Sequence, residues 1–412
     1  MLKALRGTKD ILPDDIGMWQ VVEAFARDIF SIYGYKEIRT PIIEDASLFI
    51  RSIGDATDIV RKEMYIFTDR GGRNIALRPE ATASVVRAYL ENSMAQNQDL
   101  TKLFYIGPMF RSERPQKGRQ RQFYQLGVEA IGSDNPLLDV ETIILATRFL
   151  QKLGLRDFKV NLNSLGCEKD KQAIIKKYRD IIKPYLGSLC AECGERSKKN
   201  VLRVFDCKNE KCAEAVKGIK FDNLLCADCA EHFESVKKGL KNSGVDFIVE
   251  PKMVRGLDYY TKTVFEISSP DLGAKDAICA GGRYNNLIRD MGGKATPAIG
   301  FAFGMERLIL AGKDKISMSA PSIAVFMAIA DKALEYDAFK MMSLFRDNGL
   351  SCEMDREGRS LKSQMRKAQK LNARFTVILG EEEFRRDKVI LKDMNSGEQK
   401  EAGMDEVLKE II

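Results

Sequence analysis

Near its start the chain places apolar residues at helical spacing, and it continues with short runs in which apolar and polar residues alternate. The apolar positions that share one helix face are Met18, Val22, Phe25, Ile29 and Tyr33. Gly34 follows them as a stop signal. The pattern therefore predicts an amphipathic helix that packs on a core and ends at this glycine.

Strand-like segments follow this helix. Residues 35–45 predict a strand, and the central Pro41 suits an edge or interface strand because proline cannot donate to a sheet. Residues 64–80 predict a hairpin with its turn at 69–72, and residues 103–132 predict two longer strands joined by a charged loop. Strands and helices are mixed without regular βαβ alternation, which predicts an α+β fold built on an antiparallel sheet.

Shifts in composition divide the chain. Residues 1–166 are predicted to form the first part of a core domain, and residues 167–247 a lysine-rich, mostly helical insertion that holds seven of the nine cysteines. The strand-and-glycine pattern returns in residues 248–316, the second part of the core. A linker of small residues follows, and residues 321–412 alternate strands and helices as a separate α/β domain.

Composition narrows the class of protein. A chain of 412 residues is too long for one compact core, so two or three domains are expected. No run of about 18 apolar residues is present and the N-terminus lacks an apolar signal core, which favours a cytoplasmic protein over a membrane or secreted one. The net charge of +7 is a mild bias toward polyanionic partners. In this setting, cysteines are expected to be thiols or metal ligands rather than disulfides.

The loop between the two longer strands is the richest in chemistry. Eleven residues hold five basic side chains against the single acid Glu113, namely Arg111, Arg114, Lys117, Arg119 and Arg121. Arginine offers a planar fork of donors that matches phosphate oxygens. An ordinary basic hairpin is the alternative for this loop taken alone.

Three other segments add candidate binding groups. Arg255 precedes Tyr259 and Tyr260 on a half-buried strand, where an arginine needs an anion as partner. Arg307 lies in the first turn of a helix that follows a strand, a ready anion site. Glu80 and Thr82 point the same way on an extended chain and can hold an ammonium group, although they also suit a helix N-terminus. No P-loop and no GxGxxG motif after a strand is present, so a nucleotide site would be of another kind.

Three pairs of cysteines lie in the insertion. Two are Cys-x-x-Cys pairs, Cys190 with Cys193 and Cys226 with Cys229, which together predict a tetrahedral zinc site. The additional Cys207 and Cys212 leave the ligand set open, and free thiols are the rival interpretation.

Two further features concern charge. Residues 356–374 carry seven basic residues against one acid, and the basic residues that share one helix face are Arg359, Lys362, Arg366 and Lys370. This favours phosphate contact, with a solvated helix face as the alternative. The single histidine, His232, lies on a stretch rich in Lys and Glu and is predicted to be a surface residue, so the core domain has no histidine base.

These segments resemble the signature motifs of class II aminoacyl-tRNA synthetases, in the form found in histidyl-tRNA synthetases. Residues 110–132 resemble the second class II motif and 298–310 the third, while 255–260 and 279–288 resemble two motifs particular to the histidyl family. The resemblance implies that residues 279–288 form the floor of the amino-acid pocket. Residues 35–45 resemble the first motif, which implies a homodimer interface. The resemblance extends from residue 6 into the C-terminal domain, which it implies to be an anticodon-binding domain.

The resemblance implies a role for each matching residue. Arg111 and Arg255 would contact the reacting phosphate and carboxylate as catalytic groups. The implied ATP-binding residues are Arg111, Arg119 and Arg307. Gln116 and Arg119 would meet the tRNA acceptor end. The implied histidine-binding residues are Glu80, Thr82, Arg111, Gln125, Glu129, Arg255, Tyr259 and Tyr260.

The implied function is that of a homodimeric histidine–tRNA ligase. It would activate L-histidine with ATP and Mg²⁺ and transfer it to the 3′ end of histidine tRNA. A substrate carboxylate is already ionised at neutral pH, so the reaction needs alignment and charge neutralisation rather than a base. The alternative is a catalytically silent synthetase-like regulatory subunit of histidine biosynthesis.

Overall fold

The structure is a computed structural model that describes residues 2–55, 57–96, 98–116, 118–199, 201–205, 207, 209–219, 224–253, 257–275, 277–316 and 322–412. The chain divides into two compact units, Met1–Ser317 and Met318–Ile412. The candidate site lies in the first unit.

Short and long strands alternate with helices in the first unit. Its strands are β1 (Lys36–Glu37), β2 (Ile43–Asp45), β3 (Tyr65–Thr68), β4 (Asn74–Leu77), β5 (Thr101–Phe110), β6 (Gln122–Ile131), β7 (Lys159–Ser164), β8 (Ile248–Val249), β9 (Thr261–Ser268), β10 (Ala277–Arg283) and β11 (Ala298–Gly304). Its α-helices are α1 (Pro13–Ile32), α2 (Ala46–Ile53), α3 (Thr82–Glu91), α4 (Pro136–Lys152), α5 (Glu168–Ile182), α6 (Ala191–Lys199), α7 (Glu210–Val216), α8 (Ala227–Asn242), α9 (Leu287–Asp290) and α10 (Met305–Gly312). A π-helix spans Ile59–Glu63, and 3₁₀ helices span Met94–Gln96, Lys183–Ser188, Val201–Val204 and Pro270–Lys275.

An eight-stranded sheet organises this unit, with strand order β1-β5-β6-β11-β10-β9-β7-β8. All neighbouring pairs are antiparallel except β1 with β5 and β7 with β8. A smaller antiparallel sheet has the order β2-β4-β3. The predicted α+β class with an antiparallel sheet is confirmed.

The early sequence predictions are largely confirmed. The helix α1 buries Met18, Val22 and Ile29 and ends just before Gly34, whose positive φ of 81° suits glycine. The hairpin predicted in residues 64–80 is β3–β4. The strand predicted over residues 35–45 is instead two short strands, β1 and β2, which lie on either side of Pro41 in different sheets. Proline has no N–H to donate, so the ladder breaks there.

The insertion consists of two parts that pack differently. The segment from α5 to α7 has a core of its own, whose aromatic centre is Tyr178 packed edge-on against Phe205. The helix α8 instead packs on α4, and its residues Phe233, Val236 and Leu240 belong to the main core under the sheet. The sequence assigned α8 to the insertion because it follows the same lysine-rich composition.

A buried ionic network joins α4, α8 and β10. Arg283 is fully buried, and its Nε lies 2.7 Å from Asp139 Oδ1. The other carboxylate oxygen, Asp139 Oδ2, lies 2.9 Å from His232 Nε2. The prediction that His232 is a surface residue is therefore wrong, since only 7% of it is exposed. The Lys and Glu residues of α8 occupy its outer face, while His232 lies on the face that meets α4.

The second unit is an α/β domain, as predicted. Its strands are β12 (Val325–Ile329), β13 (Cys352–Met354), β14 (Phe375–Leu379), β15 (Lys388–Asp393) and β16 (Gln399–Gly403), and its α-helices are α11 (Glu335–Asp347), α12 (Leu361–Lys370), α13 (Glu381–Phe384) and α14 (Met404–Ile411). A 3₁₀ helix spans Lys332–Leu334. The sheet order is β13-β12-β14-β15-β16, with β12 parallel to both neighbours.

Among the described residues, no helix combines the length and the apolar character that a membrane span requires.

Candidate active site

A cavity of about 650 Å³ opens on the large sheet of the first unit. It brings together residues that are far apart in the sequence, because β6, β9, β10 and β11 are neighbours in the sheet. Nine of the predicted site residues line it: Glu80, Thr82, Arg111, Arg119, Gln125, Glu129, Tyr259, Tyr260 and Arg307.

One end of the cavity is built around Glu129. This carboxylate is buried, and its two oxygens accept hydrogen bonds from the hydroxyls of Thr82 at 2.7 Å and Tyr284 at 2.5 Å. Burial raises the pKa of Glu129 to about 8, which the two hydrogen bonds and the neighbouring Glu80 modify. The backbone at Gly300 makes room for it, since a Cβ there would lie 1.9 Å from Glu129 Oε2.

Glu80 lies beside Glu129 and closes the first turn of α3. Its oxygens accept the backbone N–H groups of Thr82 at 2.7 Å and Ala83 at 2.9 Å. Glu80 therefore accepts N–H groups at the N-terminus of α3, as its alternative interpretation from the sequence predicted. Burial raises the pKa of Glu80, and the N–H donors oppose that rise. Neither Glu80 nor Glu129 forms an ion pair with another residue in the described part of the chain, so these two buried acids favour a ligand that brings positive charge or N–H donors.

Gln125 supplies an unused acceptor at the same end. Its Oε1 is buried and makes no hydrogen bond within the described part of the chain. A buried amide oxygen without a donor is costly unless a ligand supplies one. Because Gln125 lines the cavity, the donor it lacks can come from a bound molecule.

The opposite end is cationic. Arg111 follows β5 directly, and its Nε donates to Pro79 O at 2.9 Å while its guanidinium lies 5.2 Å from the centre of the Phe123 ring. These contacts hold the stem of the side chain and leave its terminal nitrogens for the cavity. The acid Glu113 is 3.9 Å from Arg111 Nη1 and forms a shorter pair of 3.0 Å with Arg119.

Arg307 joins this cationic end from the first turns of α10. Its Nη1 donates to Ala277 O at 2.5 Å and its Nε to Gly118 O at 3.3 Å, so the side chain spans from the sheet to the loop. Burial lowers the pKa of Arg307, and the neighbouring Arg119 lowers it further. Like charges held this close favour a polyanionic ligand.

Sequence reasoning missed several residues that line the cavity. Tyr105 and Tyr284 are buried beside Glu129, and burial raises the pKa of both phenols. Glu306 accepts the N–H of Tyr124 at 2.9 Å, and burial raises its pKa to about 7. The alternation along β5 could have pointed to Tyr105. The resemblance of residues 279–288 implied a pocket floor that includes Tyr284, but it gave the Tyr284 side chain no role of its own.

Two predicted residues are not among the described residues that line this cavity. Arg255 lies outside the described residues, although Met253 and Leu257 on either side of that gap both line the cavity. Gln116 forms an isolated bridge with Arg119 at the tip of the β5–β6 loop and is not part of the cavity wall.

Residues 7–179 and 183–308 match a family model described as histidyl-tRNA synthetase. A histidine–tRNA ligase of Desulforamulus reducens is 47% identical over 407 residues, which cover 98% of this chain and 97% of the relative. The chain belongs to the histidyl-tRNA synthetase family. Residues 323–412 match a second model, described as an anticodon binding domain.

Two other similarities agree with this family. A histidine–tRNA ligase of Halothermothrix orenii is 49% identical over 418 residues, covering 100% of this chain and 99% of the relative. The crystal structure of apo Staphylococcus aureus histidyl-tRNA synthetase superposes with a TM-score of 0.83 at 33% identity and full coverage of both chains. The predicted resemblance is confirmed, and the alternative of a regulatory subunit is not favoured.

The cysteines of this family member group differently from the prediction. Cys190 and Cys193 lie with Cys207 and Cys212, whereas Cys226 and Cys229 lie with Cys167 and Asp170. One site built from both Cys-x-x-Cys pairs is therefore wrong. The first pair begins α6 in the separate core of the insertion, while the second begins α8 on the main core, so the two pairs belong to different packing units.

The basic stretch of the second unit forms the exposed side of α12. Its inner side is fixed by Gln364, whose amide exchanges hydrogen bonds with the backbone N–H and C=O of Ile329, both 2.8 Å long. Lys362, Arg366 and Lys370 are exposed and form no ion pair with another described residue. Arg359 is also exposed, 3.9 Å from Asp355.

Proposed function

We propose that this chain is a histidine–tRNA ligase that activates L-histidine with ATP and transfers it to the 3′ end of histidine tRNA. The observation that carries the proposal is one cavity with a buried Glu129 and tyrosines at one end and converging arginines at the other. Such a cavity suits a reaction between a small amino acid and a polyphosphate. Membership of the histidyl-tRNA synthetase family supports the same substrates.

The Glu129 end binds histidine in this proposal. An imidazole has two nitrogens, and a carboxylate with a phenol hydroxyl on the other side can read both. Glu129 accepts the imidazole N–H, and Tyr260 contacts the second nitrogen while Tyr259 packs beside it, their ring centroids 4.8 Å apart. A site of this kind rejects amino acids without the matching polar atoms because its own buried groups would stay unpaired.

The α-ammonium group of histidine lies near Glu80, Thr82 and Gln125. Gln125 Oε1 is the acceptor without a donor, which an ammonium N–H would satisfy. Glu80 accepts backbone N–H groups on both oxygens, which orients its carboxylate, and its negative charge attracts the ammonium group. The Thr82 hydroxyl donates to Glu129, so its part is to orient that carboxylate.

The arginine end binds ATP. Arg111 is fixed through Nε and stacked on Phe123, so it can contact the α-phosphate and the attacking carboxylate without first being ordered. Arg307 and Arg119 neutralise the remaining phosphates. The substrate carboxylate attacks the α-phosphate in line, and pyrophosphate leaves, so charge stabilisation is the main task of the protein. Arg255 completes this set in the proposal.

Mg²⁺ would enter as part of the ATP substrate. Carboxylates are the side chains that Mg²⁺ prefers. Glu113, Glu266 and Glu306 line the cavity and offer this ligand type. Bound there, the ion would shield the outer phosphates.

Two regions of the protein contact the tRNA in this proposal, the β5–β6 loop and helix α12. Gln116 and Arg119 lie on the loop between β5 and β6, and Arg119 also faces the cavity, so this loop can guide the acceptor end toward the adenylate. The exposed residues Lys362, Arg366 and Lys370 of α12 contact the anticodon arm through phosphates. These roles are proposals, as are the domain limits 1–166, 167–247, 248–316 and 321–412 and the cytoplasmic location.

The tRNA role of α12 can be tested by charge. Replacing Lys362, Arg366 and Lys370 with Ala should lower charging at moderate salt and flatten its salt dependence while leaving pyrophosphate exchange unchanged. A triple Ala variant of Lys332, Lys340 and Lys409 removes the same charge elsewhere on this unit and should charge normally. An equal loss of tRNA charging in both variants would show that only the net charge of this unit matters, and not the position of these residues on α12.

A homodimer is also proposed, with the β2-β4-β3 sheet at its interface. Apolar side chains are exposed on this sheet or just before it: Ile42 by 40%, Ile43 by 51%, Ile66 by 47% and Phe67 by 44%. Clustered exposed apolar residues are typical of subunit contacts. Sedimentation velocity at micromolar concentration should give a dimer, and a stable monomer with full activity would contradict the proposal.

ATP–pyrophosphate exchange with each of the twenty amino acids tests the function as a whole. Exchange should depend on L-histidine and be near background with the other nineteen. Exchange with a different amino acid would assign another specificity, and no exchange in a folded protein would support the regulatory alternative.

A further inference from the structure

Four cysteines of the insertion lie together on three different elements. Cys190 and Cys193 lie at the start of α6, Cys207 follows the 3₁₀ helix Val201–Val204, and Cys212 lies in α7. Their sulfur atoms are all within 4.8 Å of one another. A tetrahedral zinc site with Zn–S bonds of about 2.3 Å has sulfur–sulfur edges of about 3.8 Å, so the four need to move little to bind one ion. An iron–sulfur cluster needs wider spacing, because several atoms lie between its cysteines.

The backbone around this group is already arranged for sulfur ligands. The Cys190 N–H donates to Cys212 Sγ at 3.1 Å, which ties the first Cys-x-x-Cys turn to α7. Cys193 and Cys212 are fully buried, while Cys190 and Cys207 are half-buried. The buried pair thus faces the small core of α5 to α7, and the half-buried pair can be reached by an ion from solvent.

The second group, formed by Cys167, Asp170, Cys226 and Cys229, has less need of a metal. Both oxygens of Asp170 already accept backbone N–H groups, from Cys167 at 3.2 Å and Cys226 at 3.1 Å. These bonds join the start of α5 to the start of α8 without an ion. The group also offers three sulfurs rather than four, which suits zinc less well than a set of four thiolates.

The four-cysteine group lies next to the cavity wall. Phe205, two residues before Cys207, packs edge-on against Tyr178 at 5.5 Å and lines the cavity. Arg196 of α6 pairs with Asp58 at 3.0 Å, and Glu192 of α6 pairs with Lys62 at 3.3 Å. Both partners flank Ile59, which also lines the cavity.

We propose that Cys190, Cys193, Cys207 and Cys212 bind one structural Zn²⁺ ion, which holds the Phe205 and Ile59 side of the cavity in place. The small core of α5 to α7 supplies limited hydrophobic stabilisation, and a bound metal supplies folding free energy directly. Metal binding does not depend on the proposed reaction; only the position of the wall relates to it.

Metal content and sulfur count test the site on the wild-type protein. Elemental analysis of full-length protein, expressed with zinc and dialysed against a mild chelator, should give one zinc per chain. X-ray absorption should give four sulfur neighbours at about 2.3 Å. Absence of zinc, or iron in its place, would overturn the proposal. A shell of three sulfurs and one oxygen would assign the metal to the group with Asp170 instead.

Matched pairs of substitutions test the ligands and the wall. Cys190→Ser with Cys207→Ser should abolish zinc binding and increase hydrogen exchange of residues 57–63, whereas the control Cys167→Ser with Cys226→Ser should keep both at wild-type values. Zinc lost in the control and kept in the test pair would contradict the assignment. Unchanged exchange of residues 57–63 in a folded, zinc-free test pair would refute the role in the wall. If the test pair does not fold, the wild-type sulfur count still decides the ligand set.

Discussion

The two ends of the cavity carry different charged groups, with buried acids at the Glu129 end and arginines at the other. At the Glu129 end, buried carboxylates are held by neutral hydroxyl and backbone donors, and burial raises the pKa of Glu129 to about 8. At the arginine end, Arg111, Arg119 and Arg307 lie together, and the acids Glu113, Glu266 and Glu306 also line the cavity. Two buried acids lie at one end and three arginines converge at the other, so a ligand that carries both signs in the right order interacts favourably with both. An aminoacyl adenylate, which carries a positive ammonium group and a negative phosphate, is such a ligand.

The largest effect should come from removing a cation. Arg111→Ala should slow pyrophosphate exchange by more than a hundredfold, since one contact to charge that develops in the transition state is worth about 3–4 kcal/mol. Arg255→Ala should act similarly if Arg255 shares this end. Arg70→Ala, in the exposed turn between β3 and β4, is the control and should leave exchange unchanged. Near-normal pyrophosphate exchange in a folded Arg111→Ala variant would show that the arginine end does not stabilise the transition state.

A smaller and more selective effect is expected at the other end. Glu129→Ala or Glu129→Gln should raise the KM for histidine by about 10- to 150-fold, since a buried hydrogen bond to a charged group is worth roughly 1.5–3 kcal/mol. The KM for ATP should change little. Equal changes for both substrates would make Glu129 a structural residue, and the comparison between the two ends would fail.

A substitution at Gly300 tests the same comparison between the two ends without replacing a charged residue. A Cβ at Gly300 would lie 1.9 Å from Glu129 Oε2 and 2.4 Å from Val128 O, so Gly300→Ala must displace the carboxylate or the strand. The KM for histidine should rise several-fold in steady-state exchange, and the KM for ATP should not. Gly187→Ala, where no atom lies within 4 Å of the new Cβ, is the control. A normal KM for histidine would show that the position of Glu129 is not critical.

The smallest expected effect is the release of a proton from Glu129 when histidine binds. With its pKa raised to about 8, Glu129 keeps a proton in the folded state that an unfolded chain loses near its ordinary value of 4.5. Its contribution to stability therefore declines as pH rises between these two values. An imidazole N–H binds the ionised carboxylate more strongly than the protonated one, so histidine binding at pH 7.5 should release up to about one proton. Calorimetry in buffers of different ionisation enthalpy measures this, and Glu129→Gln should reduce it. Equal release from both proteins would assign the proton elsewhere.

The sequence predicted the parts of the fold and site that depend on local pattern. The helix α1 follows from its apolar spacing, the β3–β4 hairpin from its glycine turn, and Arg111 from its place at a strand end. Glu80, Gln125, Glu129 and Arg307 were found through motifs, and all line the cavity.

What the sequence could not predict depends on pairing between distant segments. The contact between Tyr284 and Glu129 spans 155 positions. The burial of His232 depends on which face of α8 meets α4, where Asp139 supplies its partner. The grouping of the cysteines depends on α8 leaving the core of the insertion, so composition alone joined two pairs that packing separates.

A crystal structure with a non-hydrolysable histidyl-adenylate analogue tests the account most directly, because that one molecule spans both ends of the cavity. The imidazole should lie between Glu129 and Tyr260, the ammonium group within hydrogen-bonding distance of Gln125 Oε1, and the phosphate mimic on Arg111. An analogue bound in the reverse direction, or outside the cavity, would contradict the central claim that the two ends are matched to the two substrates.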